Sequence, residues 1–278
     1  QSRVKMLEKL TPITAPEDAK KVVFTFPKPE ELPPPIINLD GAAVGYGGPP
    51  ILRKLNLRID QDDRIALLGR NGEGKSTLSK LLAGKLPAAE GKLVRSSKLR
   101  IGYFAQHQVD ELHLDETPLQ HIMRQRPGEG QAKLRARLAG FGLGADQAET
   151  AVGRLSGGQK ARLSLLLATI DAPHLLILDE PTNHLDTESI GWLTDYLRTY
   201  PGAMLVVTHD RHFLDEVATG IVELRNGVFE RYEGGYTDYL VARAEKLATE
   251  ELVEHKRQMF LRKEIDWVRR RPKAQTSK

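Results

Sequence analysis

The run Gly69-Arg70-Asn71-Gly72-Glu73-Gly74-Lys75-Ser76 constrains this chain more than any other feature. It matches G-x-x-x-x-G-K-S, follows an apolar stretch at 64–68 and opens a helical pattern over 75–83. A strand, a glycine-rich turn and a helix in that order make a phosphate cradle. The glycines let successive backbone N–H groups turn inward around phosphate oxygens. The helix N-terminus adds partial positive charge. Lys75 is suited to neutralise β- and γ-phosphates, and Ser76 to ligate Mg²⁺. A bare glycine-rich turn is the competing reading, and the flanking strand and helix patterns weigh against it.

Further along, Leu175-Leu176-Ile177-Leu178-Asp179-Glu180 reads as a second buried strand that ends in two carboxylates. Next to a phosphate cradle, Asp179 suits Mg²⁺, and Glu180 suits a general base acting on water. An acidic helix cap would look similar in isolation. A third apolar run, 204–208, ends at Thr208-His209-Asp210. His209 is expected to bond the γ-phosphate and help place the water. A lone histidine is more often structural, so the weight rests on its position in the series. Between cradle and carboxylates lies Leu155-Ser156-Gly157-Gly158-Gln159, ahead of a helical stretch at 160–168. Serine and glycine at a helix start make another anion site.

Composition narrows the class. A length of 278 residues suits one large α/β domain or two small ones. Cysteine is absent, which excludes a disulfide framework or thiolate metal site and fits a reducing compartment. No eighteen-residue apolar run occurs, so no membrane span is expected. The formal net charge is only +4, but it is unevenly spread. Residues 1–35 read as a Pro-rich, linker-like segment. Residues 36–240 alternate strand and helix patterns, with a helical subdomain at about 110–170. Apolar spacing over 239–268 predicts a long helix, and the basic tail extends over 241–278.

The order of the motifs resembles that of the ABC ATPase cassette. The resemblance implies an α/β P-loop NTPase fold with a helical subdomain, an antiparallel β edge and a C-terminal basic helix. It implies ATP and Mg²⁺, held by Gly69, Arg70, Asn71, Gly72, Glu73, Gly74, Lys75, Ser76 and Thr77. Tyr46 would stack on the adenine. Gln106 would sense Mg²⁺ and the γ-phosphate, and would join Ser76 and Asp179 around the metal. Glu180 and His209 would be catalytic, and Asp186 would form the D-loop. Ser156, Gly157, Gly158 and Gln159 would serve the ATP of a second cassette, in a homodimer or a tandem pair.

The segment Glu180-Pro181-Thr182-Asn183-His184-Leu185-Asp186 resembles the signature of the ABC-F subfamily. So does Gly234-Gly235-Tyr236-Thr237-Asp238-Tyr239. The basic tail with Trp267 resembles the start of that subfamily's inter-cassette linker, and residues 1–10 resemble its end. Linker end, one cassette and linker start thus occur together, as expected of a fragment, a recombined or engineered chain, or a divergent single-cassette relative. The subfamily resemblance implies a cytoplasmic translation factor that meets the ribosome, rRNA and tRNA. The competing reading is the ATP-binding subunit of a membrane transporter, since the cassette motifs do not separate the two.

Overall fold

The computed structural model describes residues 28–183, 185–225 and 227–269, and their side chains except at 106, 107 and 264–269. The linker-like residues 1–27, His184 and the basic cluster after 269 lie outside the described residues.

The chain begins with β1 (Ile37–Val44), β2 (Leu52–Ile59), β3 (Arg64–Gly69) and α1 (Lys75–Leu82). Strands β4 (Glu90–Arg95) and β5 (Ile101–Ala105) follow. Next come the helices α2 (Gln106–Asp110), α3 (Pro118–Gln125), α4 (Gln131–Gly140), α5 (Ala145–Glu149) and α6 (Gly157–Thr169). Strand β6 (Leu175–Asp179), α7 (Thr187–Arg198), β7 (Ala203–Val207) and α8 (Arg211–Val217) complete the winding. The hairpin β8 (Gly220–Arg225) and β9 (Val228–Glu233) leads into α9 (Tyr236–Arg269).

Two sheets form. One is antiparallel, in the order β2-β1-β4. The other has the order β5-β6-β7-β3-β8-β9 and is parallel except for its β8–β9 edge. The central strands are buried on both faces, so each reads as a continuous apolar run. Their alternation still sorts side chains. Leu175 and Ile177 of β6 join Leu205 and Val207 of β7 in the core shared with the antiparallel sheet and α1. Leu176, Leu178, Met204 and Val206 point into the opposite core, against α6, α7 and α8. Residues between Leu112 and Ile170 build a third core of mostly leucine, including Leu134, Leu138 and Leu163.

The winding brings the carboxyl ends of β3, β6 and β7 side by side, where α/β sheets hold their ligands. The foot of α9 is tied down at several points. Asp215 of α8 accepts hydrogen bonds from the Thr237 N–H and hydroxyl, at 3.1 and 2.8 Å. Tyr239 is buried, Arg243 reaches Glu223 at 3.3 Å and Lys246 reaches Glu230 at 2.7 Å. Beyond Lys246 the helix stands clear, with Leu252, Val253 and Phe260 exposed. No described helix is long and apolar enough to cross a membrane.

Candidate nucleotide site

The loop between β3 and α1 depends on its glycines. Gly72 and Gly74 hold φ of 85° and 99°, in the left-handed region that side chains disfavour. At Gly74 a Cβ would also lie 2.9 Å from Leu52 Cδ2. The Arg70 N–H donates to Glu73 Oε2 at 2.7 Å, which tightens the turn. Lys75 opens α1 and folds back over the loop. Its ammonium donates to Gly69 O at 2.7 Å, Arg70 O at 3.2 Å and Asn71 Oδ1 at 3.4 Å. All three acceptors are neutral, although Lys75 is only 9% exposed. Ser76 is exposed beside it, and Thr77 is buried.

The carboxylates arrive from β6. Asp179 is partly buried, and the Tyr103 hydroxyl points at its Oδ2 from 3.5 Å. Burial, and then the nearby Asp179 charge, push the Tyr103 phenol well up. Glu180 extends the sheet by one bond, its N–H donating to Val207 O at 2.7 Å. Its φ of 53° is strained for a side-chain-bearing residue. Burial raises the Glu180 carboxyl above the ordinary glutamate range; His209 and Lys75 pull it back down, while Asp179 adds to the rise.

His209 joins the two halves. Its Nε2 lies 3.2 Å from Asn71 Oδ1 and 3.5 Å from Glu180 Oε1. Lys75, Asn71, His209 and Glu180 therefore form one connected line of polar contacts. Gln106 opens α2, directly after Ala105, which pairs with Asp179 across β5 and β6. Its side chain lies outside the described residues. Tyr46, just past β1, is 56% exposed. Lys80 of α1 reaches over its ring, 5.6 Å from the centroid.

The second glycine-rich turn behaves differently. Ser156 caps α6 and forms a closed box with Gln159. Its hydroxyl accepts from the Gln159 N–H at 3.2 Å, and its own N–H donates to Gln159 Oε1 at 3.0 Å. Ser156 and Gly157 are exposed, whereas Gly158 is buried. A Cβ at Gly158 would stand 2.2 Å from Ser189 Oγ. The Ser189 N–H in turn donates to Asp186 Oδ1 at 2.7 Å, and this bond holds the Asp186 carboxyl below the usual range. Ser189 thus ties the Asp186 loop to the Ser156 turn.

Sequence reasoning missed two of these positions. Tyr103 carried a signal, since it shares a strand face with Ala105, but the register against Asp179 is tertiary. Ser189 carried none.

With this geometry in view, similarity decides the family. The ABC transporter family profile matches residues 52–183, and a second profile of the same description matches 222–278. Probable ATP-binding protein YheS of Escherichia coli is 44% identical over 239 residues, 86% of this chain and 38% of that protein. ABC transporter F family member 3 of Arabidopsis thaliana is 40% identical over 241 residues, covering 86% and 34% of the two chains. Protein GCN20 of Saccharomyces cerevisiae is 39% identical over 249 residues, covering 88% and 33%.

This chain belongs to the ABC-F subfamily of ABC cassettes.

The ABC-F cassette spans between 33% and 38% of the length of these relatives. ATP with Mg²⁺ is the ligand the family implies, and the residues present fit it. A nearly buried ammonium that meets only neutral oxygens favours an arriving anion. The N-terminus of α1 lies under the same loop, where anions bind. Ser76, Asp179 and the Gln106 position supply oxygen donors, as Mg²⁺ prefers.

Proposed function

We propose that this ABC-F cassette hydrolyses ATP, closes on a second cassette around it and works in the cytoplasm as a ribosome-associated translation factor. The observation that carries the reading is the line from Lys75 through Asn71 and His209 to Glu180. It connects a phosphate-neutralising cation to a carboxylate whose burial makes it a stronger base than free glutamate.

In this reading Mg-ATP supplies the phosphoanhydride bond to be broken. The backbone from Gly69 to Thr77 cradles its phosphates, and Lys75 balances their charge. Ser76, Asp179 and Gln106 hold the metal. Glu180 takes a proton from water, and His209 orients that water through the hydrogen bond it now spends on Asn71. Tyr46 offers its exposed ring to the adenine.

The second turn supports a paired arrangement. Ser156 and Gln159 bond each other rather than the phosphate loop of their own chain, yet Ser156 is exposed at a helix N-terminus. It is suited to a phosphate held by another cassette, with Ser156, Gly157, Gly158 and Gln159 on one side of the seam and Asp186 beside it. The partner is a second copy or a tandem cassette. Residues 36–240 are then the cassette, and 241–278 the linker-like tail that reaches toward RNA. The ABC-F relatives favour this reading over a transporter subunit.

The test is co-sedimentation of Glu180→Gln protein with purified ribosomes, in ATP and in ADP, at moderate salt. ATP-dependent pelleting is expected. Equal pelleting in both nucleotides, or none in ATP, overturns the translation-factor reading.

A further inference from the structure

A cleft of about 640 Å³ opens behind His209, between the phosphate loop, the start of α8, the end of β8 and the foot of α9. It adjoins the nucleotide site and shares Gly69, Arg70, Glu73 and His209 with it, but extends away from Lys75, Ser76, Asp179 and Glu180, which do not line it. Four arginines do: Arg70, Arg211, Arg225 and Arg243, one from each of those elements. The two carboxylates in the wall are already engaged. Glu73 accepts from the Arg70 N–H at 2.7 Å, and the buried Glu223 pairs with Arg243 at 3.3 Å. Among the described residues, no carboxylate lies within 4.0 Å of the Arg70, Arg211 or Arg225 guanidinium. Arg225 acts on Glu230 only at longer range, and Glu230 is held by Lys246.

We infer that this cleft binds the phosphodiester backbone of an RNA strand, an inference that rests on the RNA-directed part of the function proposed above. A planar guanidinium fork matches a phosphate with two parallel bonds. Four guanidinium groups against two carboxylates leave the cleft with a surplus of positive charge. A base-binding pocket needs an open aromatic face. Here Arg211 lies over Tyr236, 5.8 Å from the ring centre, and Arg243 lies over Tyr239 at 5.7 Å. Tyr239 is also buried. Recognition therefore falls on the strand's sugar–phosphate chain and is independent of sequence. A protein partner would want an apolar anchor at the centre of its interface, and the lining is predominantly polar.

The experiment uses the full nucleotide-free chain and a fluorescent 12-nucleotide RNA, followed by anisotropy across a salt series. The double variant Arg211→Gln/Arg225→Gln leaves the Glu223–Arg243 pair and the phosphate loop untouched. Its RNA affinity should fall about tenfold. Its salt slope should fall by about 1.4, at ~0.7 per phosphate contact on a single strand. Arg225→Lys should keep most of the affinity, and the variants should melt at the parental temperature. Equal affinity and slope in wild type and double variant overturn the inference. So does displacement of the RNA by AMP or by a poly-glutamate 12-mer at the same concentration, since the cleft would then take a free nucleotide or an acidic peptide. Ribosome pelleting is read in parallel. A wild type that binds RNA through the cleft yet fails to pellet removes the translation-factor reading and keeps the cleft. A wild type that pellets together with an equally pelleting, equally RNA-binding double variant does the reverse.

Discussion

The glycine-rich turns before α1 and α6 solve the same electrostatic problem in opposite ways. Each leaves backbone N–H groups at a helix N-terminus without an intrahelical partner. The turn before α1 surrounds a lysine that meets only carbonyl oxygens of its own loop, and it connects through Asn71 and His209 to Glu180. The turn before α6 caps itself with Ser156 and Gln159 and is braced from behind by Ser189. The first is an inward-facing site with its own catalytic partners. The second is a self-capped, exposed edge with none. In the function proposed above, this outward half is the part that a facing cassette would complete.

The largest effect should come from Glu180→Gln. Removing a general base costs about 10²–10⁴-fold in turnover, while ATP affinity should stay near the parental value. Steady-state phosphate release and a nucleotide titration check both halves of that statement. Turnover at the parental rate would falsify the role given to Glu180. Lys75→Ala comes next. Loss of a charge-assisted contact of about 1.5–3 kcal/mol weakens ATP binding roughly 10- to 150-fold. Unchanged affinity by calorimetry would mean that the loop binds through its backbone alone.

Much of the inward-facing site was legible beforehand because its parts are local. A phosphate loop needs its glycines and lysine at fixed spacing, and strands such as 175–178 announce themselves as short apolar runs. The structure ends that strand at Asp179, with Glu180 just past it, and extends the helix after Ser156 in both directions. The parts that could not be read are tertiary. Tyr103 meets Asp179 only because β5 and β6 pair in parallel with Ala105 opposite Asp179. The long helix was expected from 239 but begins at Tyr236. Its first turn is fixed by Asp215, a residue on another helix. Apolar periodicity has nothing to register there. The antiparallel sheet was expected only through the family resemblance, since its outer strand β4 is largely exposed and carries little alternation.

The brace behind the outward-facing turn gives a sharper test of the comparison. Gly158→Ala places a methyl group where Ser189 Oγ stands, at 2.2 Å. Ser189 must turn its hydroxyl away or α6 and α7 must part, since Ser189 Cβ also lies at 3.2 Å, and overpacking of this kind costs about 1–3 kcal/mol. Thermal or urea unfolding should show that loss, while ATP affinity of the single chain stays unchanged. Adding Ser189→Gly should restore part of the stability, because the two changes share one contact. If Gly158→Ala instead weakens ATP binding by the isolated chain, the two turns are coupled within one cassette, and the division between inward and outward sites fails.

Ser156→Ala should have the smallest effect on folding and the most selective effect on function. The change removes one of two capping bonds of α6, worth about 1 kcal/mol. The Gln159 side chain can still accept from the residue 156 N–H, so the helix start should persist. The inward-facing site does not touch Ser156, so ATP affinity of the single chain should not change. What the variant loses is the hydroxyl offered to a phosphate on a facing cassette. In the Glu180→Gln background, where ATP is retained, pairing by analytical ultracentrifugation should weaken by more than the capping energy explains. A loss of pairing matched by an equal loss of helix stability would reduce Ser156 to a cap. Pairing that weakens while the melting temperature holds would assign the exposed hydroxyl to the partner's nucleotide.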